Sequence, residues 1–147
     1  MRVYLDVSCL DRPFDDHQQA RIRLEAEAIA ILFQRFADGS DRHVSSDMVV
    51  FELAAMPDVE RQEQVRALLP NPDDIISLSP LILDRAEALT AMGFSPADAV
   101  HIAAAEQLQA DVLLTCDDKF VRRARRLGSR LAVEVDNPLF WIRRSRQ

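Results

Sequence analysis

Residues 95–120 read SPADAVHIAAAEQLQADVLLTCDDKF, and their order of patterns decides the fold. Ser95 suits an N-cap, Pro96 the first helical position, and Asp98 the acid position of a capping box, so a helix is predicted from 96 to about 110. The apolar run DVLLT, 111–115, then reads as a buried strand. Asp117 and Asp118 follow, at the start of a second helical stretch, DKFVRRARRLG. Helix, buried strand and helix in succession are the repeating unit of a parallel sheet covered on both faces.

Working outward, the same alternation recurs. RVYLD, 2–6, is an apolar first strand ending in an acid, and VSCLDRPFDDH, 7–17, has loop character. From Gln18 to Phe36 the residues Ile22, Ala26, Ile29, Phe33 and Phe36 fall at helical spacing, with Arg21/Glu25 and Arg23/Glu27 as i,i+4 pairs. RHVSSDMVVFELAAM implies a short extended segment, then a helix capped by Ser46 or Asp47 and stopped before Pro57. A helix over 58–69, a turn at NPDD, a strand at IISLS (75–79) and a helix from Pro80 to near Gly93 complete the middle of the chain. LAVEV, 131–135, is a last strand before NPLFWIRRSRQ, whose Phe140, Trp141 and Ile142 read as an anchor on the core or a dimer contact rather than an RNA-stacking group. The expected fold is α/β, three layers around a mostly parallel central sheet, as one domain over 1–147.

Composition narrows the function. The 147 residues are 48% hydrophobic and 29% charged, which suits one globular domain. No run approaches the roughly 20 apolar residues of a membrane span, and Asp6 interrupts any signal-peptide core, so a cytoplasmic protein is expected. Two cysteines, Cys9 and Cys116, with no Cys/His cluster, argue against a disulfide framework or structural zinc. Buried thiols explain them more simply than a redox switch. Only three glycines are present, so neither GxGxxG nor a P-loop can be written.

Net charge is −6, but it is unevenly spread. Residues 1–118 carry nine arginines against 22 acids, whereas 119–147 carry Lys119 and eight arginines against Glu134 and Asp136. A basic end on an acidic body fits either a phosphate-binding surface or a solvated helix.

In a parallel sheet ligands gather beyond the carboxyl ends of the strands. Asp6 and Asp117 end strands there, and Asp98, at the start of a helix leading into the sheet, points to the same edge. Glu52 lies within MVVFELAAM with no base three or four residues away, so burial would leave it needing a partner. Four converging carboxylates repel unless a cation neutralises them. All-oxygen ligation favours Mg²⁺ or Mn²⁺, and such a site suits phosphodiester displacement.

YLDVS, SSDMVVFELA, SPADAVHIAAA and LLTCDDKF together resemble the PIN domain, the nuclease fold of VapC-type toxins. The resemblance spans almost the whole chain. It implies that Asp6, Glu52, Asp98 and Asp117 are the metal-site acids, with Glu52 and Asp98 across the site from Asp6. Ser8 and Thr115 match positions that orient those acids. It further implies Mg²⁺- or Mn²⁺-dependent cleavage of RNA, control by an antitoxin protein, and a homodimer. The basic segment, with Arg122, Arg123 and Arg126, would hold the phosphate backbone. A silent PIN-like module binding RNA or protein is the competing reading, and a receiver-like phosphoacceptor is disfavoured by the lack of an acidic pair after VYL.

Two departures from the family pattern stand out. CLDRPFDDHQQ replaces the short apolar helix start that commonly follows the first aspartate, placing Asp11, Arg12, Asp15 and Asp16 beside the site. Asp15 and Asp16 are expected to cap the long helix, and Arg12 to be available to substrate. Lys119 stands where the family often has an acid, so Asp117 and Asp118 compete as the fourth acid. His101, three residues after Asp98, is expected to be a satisfied structural residue rather than a general acid.

Overall fold

Val3, Tyr4 and Leu5 are fully buried, and β1 (Arg2–Leu5) that carries them is the middle strand of the sheet. The computed structural model describes residues 1–145. β2 (Arg42–Ser46) and β4 (Val112–Leu114) flank β1, while β3 (Ile75–Ile76) and β5 (Glu134–Asp136) form the edges, giving the order β3-β2-β1-β4-β5. Every pairing is parallel, with Val3 opposite both His43 and Val112. The expected three-layer α/β/α architecture is therefore present.

Eight α-helices are found among the described residues: α1 (Val7–Asp11), α2 (Ala20–Ala37), α3 (Asp47–Ala54), α4 (Val59–Arg66), α5 (Pro80–Ala91), α6 (Pro96–Gln107), α7 (Asp118–Leu127) and α8 (Pro138–Ser145). α2 packs on α8 in one layer, while α5 packs on α6 and Phe94 meets Phe120 of α7 in the other. Right-handed crossovers require this split, because β1→β2→β3 moves one way across the sheet and β3→β4→β5 the other. Among the described residues no helix is long and apolar enough to cross a membrane.

Several boundaries differ from the sequence reading, for local reasons. The expected loop at 7–17 contains α1 and a 3₁₀ turn (Arg12–Phe14), because Asp6 caps a helix through the Cys9 amide. The strand at 75–79 shortens to two residues, since its partner β2 gives way to α3 after Ser46. α6 ends at Gln107, where Gln109 turns left-handed at φ 55° and the Ala110 amide closes onto Ala105. Gly128, at φ 50°, ends α7, so Leu131 and Val133 are buried outside a strand and β5 begins only at Glu134.

Candidate active site

The carboxyl edge of the sheet collects the acids. Asp6 follows β1, and its amide donates to the Leu114 carbonyl of β4 at 3.2 Å, which sets it beside Thr115. α6 runs down from this edge, for its last carbonyl turn reaches Arg2 at the other end, Arg2 Nη1 donating to Leu108 O at 2.9 Å. Asp98, in the first turn of α6, thus faces Asp6, as the topology argument expects.

Asp6 is buried, and neutral donors surround it. Its Oδ1 accepts from Ser8 Oγ at 2.5 Å and from the Cys9 amide at 3.1 Å. Burial pushes the Asp6 carboxyl above its ordinary range, against the opposing help of Ser8, Thr115, His101 and the Cys9 amide. Burial is also the main reason that Asp98 is raised, and the negative charges of Asp6 and Asp117 push it the same way. Ser95 caps α6 by accepting from the Asp98 amide at 3.2 Å.

Asp117 and Asp118 separate clearly. Arg21 holds Asp118 with two bonds, at 2.9 and 2.5 Å. Asp117 caps α7 through Oδ1, accepting from Lys119 N at 2.9 Å and Phe120 N at 3.4 Å. Thr115 Oγ1 accepts from the Asp117 amide at 3.1 Å and lies 3.3 Å from Ser8 Oγ, so one hydroxyl pair steadies both aspartates.

Glu52 is less isolated than its apolar neighbours in sequence suggest. Its side chain is 34% exposed and its Oε1 bonds His101 Nε2, so the partner comes from α6 rather than from its own helix. The ring is buried, and its Nδ1 lies 2.7 Å from Tyr4 OH, which lies 2.7 Å from Ser46 Oγ. An ionised Glu52 can only accept, so Nε2 donates to it; in the neutral imidazole Nδ1 then accepts from Tyr4, and Tyr4 accepts from Ser46. Burial, with Asp6 and Glu52 adding to it, lifts the Tyr4 hydroxyl far above its ordinary value and keeps it a donor. Sequence reasoning missed Tyr4. The period-2 geometry of a strand, placing residues 4 and 6 on one face, was the available signal.

The polar segment after α1 behaves differently from expectation. Asp15 does not cap α2, whose N-cap is Gln19 with no side-chain bond. It pairs with Arg12 at 2.9 Å and with Arg61 of α4, which also holds Asp11 at 2.6 Å. Asp16 closes a local turn onto the Gln18 amide instead of capping the helix. Arg12, expected to be available to substrate, is engaged inside the fold, with Nε 3.2 Å from buried Glu25. Two carboxylates meeting on Arg61 explain why this stretch folds onto α4 rather than remaining a loop.

The basic end also divides. Arg125 and Arg144 neutralise buried Asp136, whereas Arg122, Arg123 and Arg126 on α7 are exposed and make no ion pair among the described residues. Trp141 and Ile142 anchor α8 in the core, and exposed Phe140 lies under Arg21 at 6.0 Å. A cavity of about 620 Å³ opens at the opposite edge of the sheet beside His43 and Phe36, and its lining includes none of Asp6, Glu52, Asp98 and Asp117.

Among the described residues, Arg21 pairs with Asp118 and the His101 imidazole bonds Glu52, but no base pairs with Asp6, Asp98 or Asp117. No three Asp, Glu, His or Cys side chains among them stand close enough together to form a closed metal shell. The donor set fits a hydrated hard cation, which needs only one or two carboxylates and keeps its waters, and does not fit a dehydrated cage.

Residues 3–126 match the model of the PIN domain family. No curated protein matches the chain. Among solved structures it is similar to FitAB bound to an IR36 DNA fragment, with 17% identity over 93% of this chain and 95% of that chain, and a TM-score of 0.60. At that identity the likeness speaks to the fold. The family match ends within α7, yet β5 pairs with β4 and α8 adds Trp141 and Ile142 to the same core.

Proposed function

The chain belongs to the PIN domain family, and from that premise we propose that it is a metal-dependent endoribonuclease, the toxin of a VapC-type toxin–antitoxin pair. The observation that carries this reading is the group Asp6, Asp98 and Asp117: carboxylates at one sheet edge, two of them raised by burial, with no basic partner among the described residues. One sheet and one core support a single nuclease domain.

In this reading one or two of Asp6, Asp98 and Asp117 ligate a hydrated Mg²⁺ or Mn²⁺ directly, and the remaining carboxylates, Glu52 among them, hold its waters. A divalent cation bound there supplies a more acidic water and positive charge for the phosphodiester oxygens. The chain's own residues hold the acids in place. Ser8, the Cys9 amide and Thr115 fix Asp6, Thr115 also steadies the Asp117 backbone, and Tyr4 and His101 orient Glu52. Arg122, Arg123 and Arg126, one to two turns along the helix that Asp117 caps, bind backbone phosphates of RNA. FitAB was solved on a DNA fragment, and the shared fold supports a nucleic-acid setting and an antitoxin partner here. Exposed Phe51, Val59, Leu81 and Leu83 support a protein partner, the antitoxin or a second copy in a homodimer.

The test is cleavage of a labelled structured RNA in Mg²⁺ or Mn²⁺, beside EDTA and Asp98→Asn purified identically. Cleavage that needs metal and is lost in the variant supports the reading. Equal cleavage by wild type and variant refutes it, and RNA binding without metal-dependent cleavage selects a silent binding module.

A further inference from the structure

Cys9 and Cys116 are the only cysteines in the chain, and the fold brings their sulfurs to 3.9 Å. Cys9 is buried in α1, whereas Cys116, just after β4, is partly exposed. They come from segments 107 residues apart. Both are wired to the acid site through their backbones. The Cys9 amide donates to Asp6 Oδ1 at 3.1 Å, and the Cys116 amide donates to Ser8 Oγ at 3.0 Å. Ser8 Oγ in turn donates to the same Asp6 oxygen at 2.5 Å, and Asp117 is the residue after Cys116.

We propose that Cys9 and Cys116 form a reversible thiol–disulfide site that takes a low-molecular-weight disulfide as oxidant and, when closed, disables the adjoining carboxylates. The disabling effect rests on the nuclease reading above; the thiol chemistry does not. The partly exposed Cys116 sulfur loses its proton and attacks one sulfur of the oxidant, RSSR. The RS–SR bond breaks, a mixed disulfide forms on Cys116, and one RSH leaves. The Cys9 sulfur then attacks Cys116 Sγ, the S–SR bond breaks, and the Cys9 proton goes to the departing RS⁻, which leaves as the second RSH. Two protein thiols are thereby oxidised by two electrons, and RSSR is reduced to two RSH. Excess dithiol reverses both exchanges.

A disulfide bond is about 2.05 Å long, so closure draws the two sulfurs together by roughly 2 Å. The movement falls on α1 and on the turn between β4 and α7. These segments carry the Cys9 amide and the Ser8 hydroxyl that hold Asp6, together with Asp117 itself. A displacement of about 1 Å in a reacting group costs on the order of 100-fold in rate. The pair is therefore placed where a small covalent change reaches the acids directly.

The experiment treats the full-length protein with oxidised glutathione, quenches by alkylation, and reads thiol number and cross-links by intact mass and peptide mapping. RNA cleavage in Mn²⁺ and calorimetric Mn²⁺ affinity are measured before oxidation, after it, and after dithiothreitol, beside Cys116→Ser. The expected result is loss of two hydrogens, a Cys9–Cys116 cross-linked peptide, and cleavage and Mn²⁺ affinity both lowered at least about tenfold. Dithiothreitol restores both, and Cys116→Ser keeps its activity under oxidant. Two alkylatable thiols after oxidation, or a stable glutathione adduct on Cys116 without closure, overturns the site. Closure with Mn²⁺ affinity and cleavage unchanged overturns its effect on the acids. If RNA is uncut even when reduced, the nuclease reading fails separately, and the change in Mn²⁺ affinity alone decides whether closure acts on the carboxylates.

Discussion

Tyr4→Phe removes one oxygen from the centre of the fold and tests whether the buried Ser46–Tyr4–His101–Glu52 chain holds the site together. The ring of Tyr4 is fully buried, and phenylalanine keeps that packing, so the variant isolates the hydroxyl. The hydroxyl makes two bonds of 2.7 Å, to Ser46 Oγ and to His101 Nδ1. Ser46 retains its bond from the Met48 amide, but its own proton loses an acceptor. His101 Nδ1 is left without a donor in a buried setting. Each abandoned buried polar group costs about 1–3 kcal/mol, so the two together should cost the variant roughly 2–6 kcal/mol, a large part of a typical domain's 5–15 kcal/mol. The imidazole also loses the bond that fixes its tautomer, and Glu52 is then held less firmly. A supporting partner of this kind is worth on the order of 10–100-fold in metal affinity. Urea unfolding and calorimetric Mn²⁺ titration of both proteins read the two effects. A loss under about 0.5 kcal/mol together with unchanged Mn²⁺ affinity would refute the argument.

His43 is buried, stacked on Phe36 at 4.8 Å, and burial lowers its pKa from 6.5 to about 4. The unfolded chain therefore binds the proton first, and stability present above pH 6.5 is lost as pH falls toward 4, by about 2 kcal/mol between pH 7 and 5. His43→Phe should abolish that component in urea melts, and a wild-type-to-variant difference equal at both pH values would count against it. Asp6 and Asp98 carry the opposite sign: raised above 3.8 chiefly by burial, they protonate more readily in the folded state, so their contribution falls as pH rises through that window. In chelator at neutral pH, Asp98→Asn should accordingly melt higher than wild type, while Mn²⁺ at 100 times its Kd should stabilise only wild type, by about 2.7 kcal/mol. Equal Mn²⁺ shifts in both proteins would remove Asp98 from the site. Replacing Arg122, Arg123 and Arg126 with alanine should reduce the slope of log affinity for single-stranded RNA against log salt by about 0.7 for each phosphate that the variant no longer neutralises. An unchanged slope would place RNA elsewhere.

How much of this was legible depends on how far each signal reaches along the chain. The alternation of strands and helices, the carboxyl-edge position of Asp6 and Asp117, and the entry of Asp98 from α6 all follow from local pattern plus chain direction. Glu52 is recognisable in the sequence as an acid needing a partner, but the partner, His101, lies 49 residues away and no spacing rule connects them. Asp15 fails as a helix cap for the same reason. Arg61, 46 residues on, offers a charged partner that a local cap position cannot reveal. Arg12 reads as available to substrate because buried Glu25, its partner, sits within a helix face that looks wet from i,i+4 pairs alone. The choice between Asp117 and Asp118 likewise turns on Arg21, 97 residues from Asp118.

These long-range pairings also rank the acids. Asp118 has a guanidinium and Glu52 an imidazole. Asp117 spends one oxygen on the amides that begin α7, and Asp98 is only half-buried. Asp6 alone combines burial with purely neutral donors, and its main partners, Ser8 and the Cys9 amide, belong to the short helix that it caps itself. Were Asp6 retained only to start α1, asparagine or serine could cap that helix without a buried charge. A carboxylate there adds an electrostatic cost that capping does not require, one that protonation relieves at low pH and that a bound cation would offset at neutral pH. The physical case for a cation site thus rests on Asp6 more than on the number of acids around it, and the other carboxylates matter by how much of their charge the fold has left uncommitted.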